Sequence, residues 1–382
     1  MPYWLIQDFQ EQRLQPHMRL TNMPGLYMMI NDPDSEEAMR LVTIADVAKR
    51  ANVSMMTVSR VINNSGHVSE QTRKRVQEAI DLLSYRPNMM AKGLATGRSK
   101  LIAYVMSDLS NPFFSLVSKG IENACFDRDH TVIICDTRSD QRVEDCLDML
   151  IDRQIDGAIF HHLNLSAAQV ARLAEGNVQC VMIDNEVELP DVSSVDSDNY
   201  EGGMLAVRHL IEKGHKKFGC ITGFLEDPGD VEDYINTFQR RIWRDRTRGY
   251  LDALRDAGLS SNVLFQGSGV LRTGFPLAQN YIREIMCLPD PPTALYCGND
   301  LIALGVLSEL LETNIPVPER MAIVGHDGVE MSMILYPRVT TIVQPRYEMG
   351  FTATNMLLDL IEKNAPVEHR IMPSTLFQGD TT

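Results

Sequence analysis

The sequence lacks several features that would place it in common protein classes. Its 382 residues contain no run of about eighteen apolar residues, the length that spans a membrane. Its seven cysteines form no C-x-x-C pair, and several lie in apolar, strand-like runs. This usage is typical of reduced core thiols and argues against a bound metal. We therefore expect a cytoplasmic protein with no metal and no cofactor.

Motifs that mark enzymes are also absent. Gly267–Gly274 reads GSGVLRTG rather than G-x-G-x-x-G, and neither G-x-x-x-x-G-K-(S/T) nor H-E-x-x-H occurs. No local signature pairs a nucleophile with a base. Although doubly wound sheets are common in dinucleotide-binding enzymes, we predict that this protein is not an enzyme.

The first 41 residues show little sign of a folded unit. They have no sustained hydrophobic period, and MPYWLIQDFQEQRLQPH lacks the basic and then apolar order of a signal peptide. We expect residues 1–41 to be a disordered extension, and Met39 offers an alternative start. A small extra folded element is the other interpretation.

Charge is distributed unevenly along the chain. The whole sequence has 36 Lys and Arg against 51 Asp and Glu, a net charge of −15. Thr43–Lys100 alone has ten basic and four acidic residues, a net charge of +6, which leaves −21 for the rest. This asymmetry favours a polyanion-binding head on an acidic body, although a solvated charged face would give the same count.

Three short amphipathic helices are predicted within the basic segment. The T-x-x-D pattern at Thr43 is a capping box for the first, which ends at Asn52, a residue that tolerates the left-handed conformation. Ser54 and Ser69 are N-caps of the second and third, and Pro87 ends the third. A helix, a tight turn, a helix and a supporting helix predict a helix-turn-helix DNA-binding domain.

The second helix of such a domain lies in the major groove, with its N-terminal residues against base edges. Met55 and Met56 are expected on its outer side, where they would make apolar contacts, for example to thymine methyl groups. Arg60 can donate two hydrogen bonds to guanine. The alternative is that both methionines fill the core.

The segment RPNMMAKGLATGRSK, Arg86–Lys100, follows this domain. Asn88, Ala91 and Leu94 recur every three residues in it. It is either an ordinary linker or a short helix that forms on DNA, with Leu94 as an apolar wedge in the minor groove.

Beyond Lys100, short apolar runs alternate with helical periods. Repeated βα units of this kind predict parallel sheets, and their number is enough for two doubly wound lobes. Ligands in such folds bind at the carboxyl ends of strands, here in the cleft between the lobes. The predicted strands are LIAYVM (101–106), TVIIC (131–135), GAIF (157–160), CVMI (180–183), FGCIT (218–222), ALYC (294–297) and MAIV (321–324), and the predicted helices include Thr247–Ala257 and Leu301–Glu312.

Three sequence stretches resemble the lactose- and galactose-repressor family of bacterial transcription regulators. They are TIADVAKRANVSMMTVSRVIN, RPNMMAKGLATGRS and the NPFF of Asn111–Phe114, and the resemblance runs from about Thr43 to the C-terminus. It implies a homodimer that reads a near-palindromic operator in double-stranded DNA, with Leu94 wedged at the central step. One departure is Asn52, where the family usually has glycine.

The resemblance also implies a domain organisation. Residues 1–41 would be the extension, 42–87 the helix-turn-helix domain, 88–100 the hinge, and 101–382 an effector-binding and dimerisation domain of periplasmic-binding-protein type. Lobe 1 would comprise about 101–195 and 344–372, and lobe 2 about 197–342 with the C-terminal tail. The chain would cross between lobes near Val195–Asn199, near Thr341–Pro345 and once more late.

Polar residues that follow predicted strands are candidate effector contacts. Arg246 in R-T-R-G-Y matches the family's effector arginine, Asn299 belongs to its N-D pair, and Asp327 matches the aspartate of G-(Y/H)-D. Gln344 closes its T-T-I-x-Q motif. Carboxylate, amide and guanidinium groups suit a hydroxyl-rich ligand.

Structural roles compete with each of these assignments. Arg246 and Asp327 would form an ion pair that stabilises the lobe, Asn299 would cap a helix, and Phe113 and Phe114 would fill the core instead of stacking on a ligand ring. The family pattern is also broken by a longer loop before Arg246 and by the missing aromatic residue before the glycine of GVLRTG.

These observations predict a transcriptional repressor whose operator affinity is controlled by a small metabolite, in the first instance a sugar. The alternatives are a co-repressor-dependent regulator that responds to a nucleoside or nucleobase, and a small-molecule binding protein that does not bind DNA. The candidate DNA contacts are Thr43, Ser54, Met55, Met56, Thr57, Ser59, Arg60, Asn63, Asn88, Ala91 and Leu94. The candidate effector contacts are Asn111, Phe113, Phe114, His161, Asp184, Arg246, Asn299, Asp327 and Gln344.

Overall fold

The computed structural model describes residues 42–86, 97–137, 140–163, 165–185, 189–222, 241–266 and 271–382. The predictions about residues 1–41, and about Asn88, Ala91 and Leu94 in the hinge, lie outside these residues. The chain divides into two compact units, Met1–Lys92 and Gly93–Thr382. We call the described part of the first, residues 42–86, the head, and the second the body.

The head consists of three helices around a small apolar core. They are α1 (Ile44–Ala51), α2 (Met55–Ile62) and α3 (Glu70–Leu83). One fully buried valine from each helix, Val47, Val58 and Val76, contributes to the core. The spacing of apolar residues in each helix therefore places one face inward, as the sequence predicts.

Side-chain caps fix the starts of the head helices. Thr43 and Asp46 form the reciprocal capping box, and Ser54 and Ser69 accept hydrogen bonds from the backbone of their own first turns. Asn52 ends α1 with a φ of 52°. These four predictions are confirmed.

The end of α3 differs from the prediction at Pro87. The helix ends at Leu83 because Ser84 adopts the left-handed conformation, with a φ of 50°. The Tyr85 N–H then donates to the carbonyl of Ile80, which closes the helix before the proline is reached.

The body contains two six-stranded sheets. Its strands are β1 (Leu101–Met106), β2 (Thr131–Asp136), β3 (Gly157–His161), β4 (Gln179–Ile183), β5 (Ser193–Ser197), β6 (Phe218–Thr222), β7 (Ser261–Gln266), β8 (Ala294–Cys297), β9 (Ala322–Asp327), β10 (Thr340–Val343), β11 (His369–Met372) and β12 (Thr375–Phe377). Its helices are α4 (Phe113–Asp127), α5 (Asp140–Asp152), α6 (Ala167–Glu175), α7 (Asn199–Glu212), α8 (Arg241–Asp256), α9 (Leu271–Met286), α10 (Asp300–Glu312), α11 (Glu330–Ile334) and α12 (Arg346–Lys363).

Each sheet forms the centre of one lobe. The lobe 1 sheet has the order β11-β5-β4-β3-β1-β2 and the lobe 2 sheet the order β12-β10-β9-β8-β6-β7. All strand pairs in these sheets are parallel except β10 with β12. The predicted fold class, a helical head with two doubly wound lobes, is confirmed.

Both faces of each sheet are covered. In β1, Ile102 and Tyr104 point into one apolar cluster while Ala103 and Val105 point into another on the opposite face. Burial on both sides explains why central strands such as β1, β3 and β8 are nearly continuous apolar runs without alternation. The seven cysteines are free, and four of them, Cys125, Cys146, Cys220 and Cys297, are buried.

The chain passes between the lobes at three places. It leaves the lobe 1 sheet after β5 and enters α7, which packs on lobe 2; it returns between β10 and α12, which packs on lobe 1. The third passage joins β11 in the lobe 1 sheet to β12 in the lobe 2 sheet.

Within the described residues, no helix combines the length and the apolar character needed to cross a membrane.

Candidate functional site

The centre of the lobe 2 side of the cleft is Arg246, on α8. The residue is only 2% exposed. Its Nε donates to Asn199 Oδ1 at 2.7 Å, and its Nη1 donates to the Gly298 carbonyl at 2.6 Å and to Asp327 Oδ1 at 3.2 Å. Its buried Nη2 has no hydrogen-bond partner among the described residues. One guanidinium nitrogen is thus left for a ligand.

Asp327 and Gln344 lie beside this guanidinium. Gln344 Nε2 donates to Asp327 Oδ1 at 2.9 Å, while its buried Oε1 has no partner in the part of the chain that the structure describes. Burial raises the pKa of the Asp327 carboxyl, and the charge of Arg246 opposes that rise. Asp327 has a φ of 123°, a strained conformation of the kind that concentrates at functional sites.

Asp184 directly follows β4 on the lobe 1 side. Its Oδ1 accepts hydrogen bonds from the Ser197 N–H at 2.8 Å and from Asn199 Nδ2 at 3.4 Å. Since Asn199 also accepts from Arg246, a single amide joins the lobe 1 carboxylate to the lobe 2 guanidinium. Asn199 opens α7, directly after the chain has passed between the lobes.

Two histidines lie next to Asp184. His161 is the last residue of β3, where the sequence places it after the strand, and it is fully buried. Its Nδ1 lies 2.7 Å from the Tyr104 hydroxyl. Burial, and then the neighbouring His162, lower the pKa of His161 well below its ordinary value, which keeps the ring neutral. His162 Nε2 lies 3.8 Å from Asp184 Oδ2, too far for a hydrogen bond.

Two further arginines connect the lobes directly. Arg241, the first residue of α8, pairs with Asp196 in β5 at 2.7 Å. Arg346, the first residue of α12, is 2% exposed and donates from Nη2 to the Gly328 carbonyl and, at 3.1 Å, to Glu330. Charged side chains therefore connect the lobes at two places.

The second helix of the head exposes the residues predicted to read bases. Met55 and Met56 are 55% and 65% exposed, whereas Val58 and Val61 face the core. Arg60 is also exposed. This exposure is inconsistent with the alternative that both methionines fill the core of the head.

Comparisons with known proteins identify the family. Residues 43–88 match the model of bacterial regulatory proteins of the lacI family, and residues 207–382 match the periplasmic binding protein-like domain. The transcriptional repressor PurR of Aliivibrio salmonicida (strain LFI1238) is 35% identical over 335 residues, which cover 87% of this chain and 95% of the relative. The chain belongs to the lacI family.

Other relatives and solved structures support this assignment. PurR of Photobacterium profundum is 30% identical over 84% of this chain and 92% of the relative. The lac repressor dimer bound to operator and the anti-inducer ONPF aligns with a TM-score of 0.77 at 27% identity, over 90% of this chain and 99% of that one. The regulator CelR in complex with cellobiose aligns with a TM-score of 0.65 at 27% identity, over 89% and 100% of the two chains. This lacI-family protein is a DNA-binding transcriptional repressor and not an enzyme.

Several residues with predicted contacts have structural partners in this lacI-family protein. Asn299 Oδ1 accepts from the Ile302 N–H at 2.8 Å and so caps α10. Asn111 Oδ1 accepts from the Phe113 N–H at 3.0 Å at the start of α4. In the head, the Thr43 and Ser54 hydroxyls cap helices, the Ser54 hydroxyl lies 2.9 Å from that of Thr57, and Asn63 Nδ2 donates to the Ser59 hydroxyl.

The two phenylalanines of the NPFF motif are core residues. Phe113 and Phe114 are 1% and 2% exposed within the main lobe 1 cluster. Phe113 stacks on His162, with ring centroids 5.6 Å apart, and Phe114 meets His161 edge-on at 4.9 Å. Their rings pack against the two histidines. Both residues therefore fill the core, which is the alternative role expected for them from the sequence.

Sequence reasoning missed three residues of the cleft: Asn199, Trp243 and Arg346. The Arg246 guanidinium lies 5.6 Å from the centre of the Trp243 ring. Trp243 and Arg246 are three residues apart in the sequence, which places both on one face of α8. Arg346 follows the predicted crossing at Thr341–Pro345 directly, so its charge at that position was a usable signal.

Proposed function

We propose that this repressor binds a near-palindromic operator as a homodimer. A hydroxyl-rich metabolite, in the first instance a sugar, would bind in the cleft between the lobes and raise or lower the affinity for the operator. The observation that carries the proposal is the pair of buried, unpartnered atoms on Arg246 and Gln344 in the described part of the chain, one a donor and one an acceptor. Hydroxyl groups of one ligand can accept from the first and donate to the second, and burial makes each unpaired group costly without a ligand.

A sugar is favoured over a nucleobase by the surroundings of the aromatic rings. A base commonly stacks on an accessible ring face. Phe113 and Phe114 are enclosed by the core and by histidines, and the only partly exposed ring among these is that of His162, whose side chain is 23% exposed. Trp243 is 9% exposed and has Arg246 beside its ring. The similarity to PurR keeps a nucleoside or nucleobase as the second candidate.

The switch would be a population shift between two arrangements of the lobes. An effector that contacts Arg246 and Gln344 favours one arrangement, since these residues lie where the chain passes between the lobes or are joined to that passage through Asn199. A coupling free energy of about 1–3 kcal/mol would change operator affinity roughly 5- to 150-fold. The hinge that would transmit the change includes Leu94, outside the described residues.

In the head, α2 would enter the major groove with Met55 and Met56 against base edges. The polar residues Thr43, Ser54, Thr57, Ser59 and Asn63 would contribute phosphate or base contacts from the same side. Leu94 would act as a wedge in the minor groove, with Asn88 and Ala91 on the same hinge face.

The test is selection of random duplex DNA on the full-length protein at two salt concentrations, followed by titration of the selected duplex with panels of sugars and of nucleobases. We expect a near-palindrome, and we expect the logarithm of the binding constant to fall linearly with the logarithm of the salt concentration. A sugar that shifts operator affinity supports the main proposal, and a nucleobase that does so supports the second candidate. A non-palindromic selected site would contradict the homodimer.

A further inference from the structure

The cluster formed by His161, His162 and Asp184 has chemistry beyond sugar recognition. Its three ligand-type atoms, one from each side chain, all lie within 4.8 Å of one another. They come from the ends of β3 and β4, which are adjacent parallel strands in the lobe 1 sheet. Two imidazoles and one carboxylate are a ligand set that divalent transition metals prefer.

Both imidazole Nε2 atoms of this cluster are buried, and neither has a hydrogen-bond partner among the described residues. His161 is fully buried, so its unpartnered nitrogen costs free energy that a ligand would recover. Its other nitrogen lies 2.7 Å from the Tyr104 hydroxyl, the type of contact that orients a metal-binding imidazole. In the tautomer in which Nδ1–H donates to the Tyr104 oxygen, the lone pair of His161 Nε2 is available to a metal ion.

The carboxylate is oriented as well. Asp184 Oδ1 accepts from the Ser197 N–H and the Asn199 amide. Oδ2 accepts a long hydrogen bond of 3.4 Å from the Ser197 hydroxyl and lies 3.8 Å from His162 Nε2. His162 and Asp184 both have left-handed backbones, with φ values of 54° and 43°. Non-glycine residues adopt this conformation at a cost, and such strain concentrates at functional sites.

We propose that His161, His162 and Asp184 bind one divalent transition-metal ion of the zinc class on the lobe 1 side of the cleft. Tetrahedral bonds of about 2.0–2.2 Å place donor atoms about 3.4 Å apart, so donors that now lie within 4.8 Å of one another must draw together by about 1 Å. Three protein ligands leave a fourth position open for water or for an oxygen of the effector. The expectation of no metal came from cysteine spacing, which does not bear on a histidine and carboxylate set.

This site would belong to the same cleft as the proposed effector site. Only the role of the metal in effector binding rests on that proposal: a bound metal would add a position for an oxygen of the effector opposite Arg246. Asn199 bonds to both Asp184 and Arg246, so the two positions are one residue apart. Metal binding to the protein alone does not depend on which effector is correct. The two proposals can therefore fail separately.

The experiment titrates Zn²⁺, and Co²⁺ as a spectroscopic probe, into chelator-treated full-length protein from which any affinity tag has been removed. We expect one ion per chain and visible absorption of low-coordinate Co²⁺. His162→Asn and Asp184→Asn should each weaken binding at least tenfold. Asp184→Asn keeps the Oδ1 acceptor for Ser197, and His162 Nε2 has no hydrogen bond to lose within the described residues.

The matched control is His215→Asn, since His215 bonds to Thr293 in lobe 2 and lies outside the cluster. This variant should bind metal as the natural protein does. Absence of a bound ion in the natural protein would overturn the site. So would metal affinities in the His162 and Asp184 variants equal to that of the natural protein. Metal binding together with no response of the operator complex to any sugar would retain the site and reject the proposed effector class.

Discussion

Arg246 and Asp300 are both ionisable residues that the fold removes from water, and the surroundings give them different consequences. Arg246 donates to three described partners and has one buried nitrogen left over. Asp300 is fully buried, and its two oxygens accept from the Thr341 hydroxyl at 2.5 Å and the Val329 N–H at 2.8 Å. The first is suited to ligand recognition and the second to joining three elements of lobe 2.

Arg246→Lys should weaken effector binding by tenfold or more while operator binding without effector is retained. Lysine keeps the charge but loses the planar fork that serves Asn199, Gly298 and a ligand together. Calorimetric titration of the effector identified by the operator assay measures the change. Arg283→Lys, which alters an ion pair between α9 and α10, is the control. Equal loss in both variants would argue for a general effect on lobe 2.

Asp300 should make the protein less stable as pH rises. Burial, and then the charge of Asp327, raise the pKa of Asp300 to about 8 in the folded state. An unfolded carboxyl has a pKa of about 4, so between these pH values the folded state holds a proton that the unfolded state does not. The free energy of unfolding therefore falls as pH rises through this range.

Asp300→Asn should remove much of that pH dependence. The stability of the variant relative to the natural protein should therefore be higher at pH 9 than at pH 5. Asparagine can still accept from Val329 through its amide oxygen. Asp327, whose pKa is also raised by burial, leaves a residual slope of the same sign. Thermal unfolding across this pH range tests the prediction, with the exposed Asp256→Asn as control. An unchanged slope in Asp300→Asn contradicts it.

At the scale of elements, the pairing of α7 with α8 sets the position of the lobe 2 site. Gly203 and Gly249 allow the backbones to touch, because a Cβ at Gly249 would lie 2.1 Å from the Tyr200 carbonyl oxygen and one at Gly203 would lie 2.3 Å from that of Arg246. Asn199 and Arg246 are carried by these two helices. The close approach therefore brings their side chains into hydrogen-bond distance.

Gly249→Ala should separate α7 from α8, lowering stability by about 1–3 kcal/mol, the usual cost of overpacking. It should also weaken effector binding, because Arg246 lies one helical turn from Gly249. Denaturant unfolding and effector titration measure the two effects. Arg248→Ala, on the exposed face of α8, should change neither. A stable Gly249→Ala protein with normal effector affinity would show that the contact is unimportant.

The recognition role of α2 has its own test. Met56→Ala should change the preferred base at one or two positions in each half-site and leave the fold intact, since the side chain is 65% exposed. Repeating the duplex selection with the variant shows the change. Leu82→Ala, at a similarly exposed apolar position on α3, should select the natural site. The same preference in Met56→Ala would assign base reading to other residues.

Local signals explain which elements were predictable. The caps at Thr43, Ser54 and Ser69 depend on residues within three positions of each other, so the sequence is sufficient to predict them. The strand β5, with the sequence SSVDS, is fully buried yet mostly polar, and no hydrophobic pattern marks it. Its burial comes from the sheet neighbours β4 and β11, one of them from the far end of the chain.

The site was predictable only in part for a similar reason. Arg246, Asp327 and Gln344 stand in motifs that the sequence displays. Asn199 acquires its role from hydrogen bonds to residues 15 and 47 positions away in the chain. Arg346 acquires its role from Gly328, just after β9, and from Glu330, the first residue of α11, in the other lobe. Contacts of this kind exist only after both sheets have formed.

At the scale of the whole body, charged contacts between the lobes set the balance between lobe arrangements. Arg241→Gln removes the interlobe pair with Asp196 at a cost of about 1 kcal/mol, which should weaken effector binding roughly fivefold. Effector titration measures the change, and Arg338→Gln, which breaks an ion pair with Asp380 within lobe 2, is the matched control. Tighter effector binding in Arg241→Gln would mean that the effector favours separated lobes.

The passages between the lobes also bear on how ligand specificity can change over evolution. Asn199 and Gln344 sit where the chain passes between lobes, so a substitution there alters both what is recognised and how readily the lobes move. His162 and Trp243 do not belong to the segments that pass between the lobes. New specificities in descendants of this protein should therefore arise first at positions such as these. A substitution there changes the ligand that is bound and has less effect on the equilibrium between lobe arrangements.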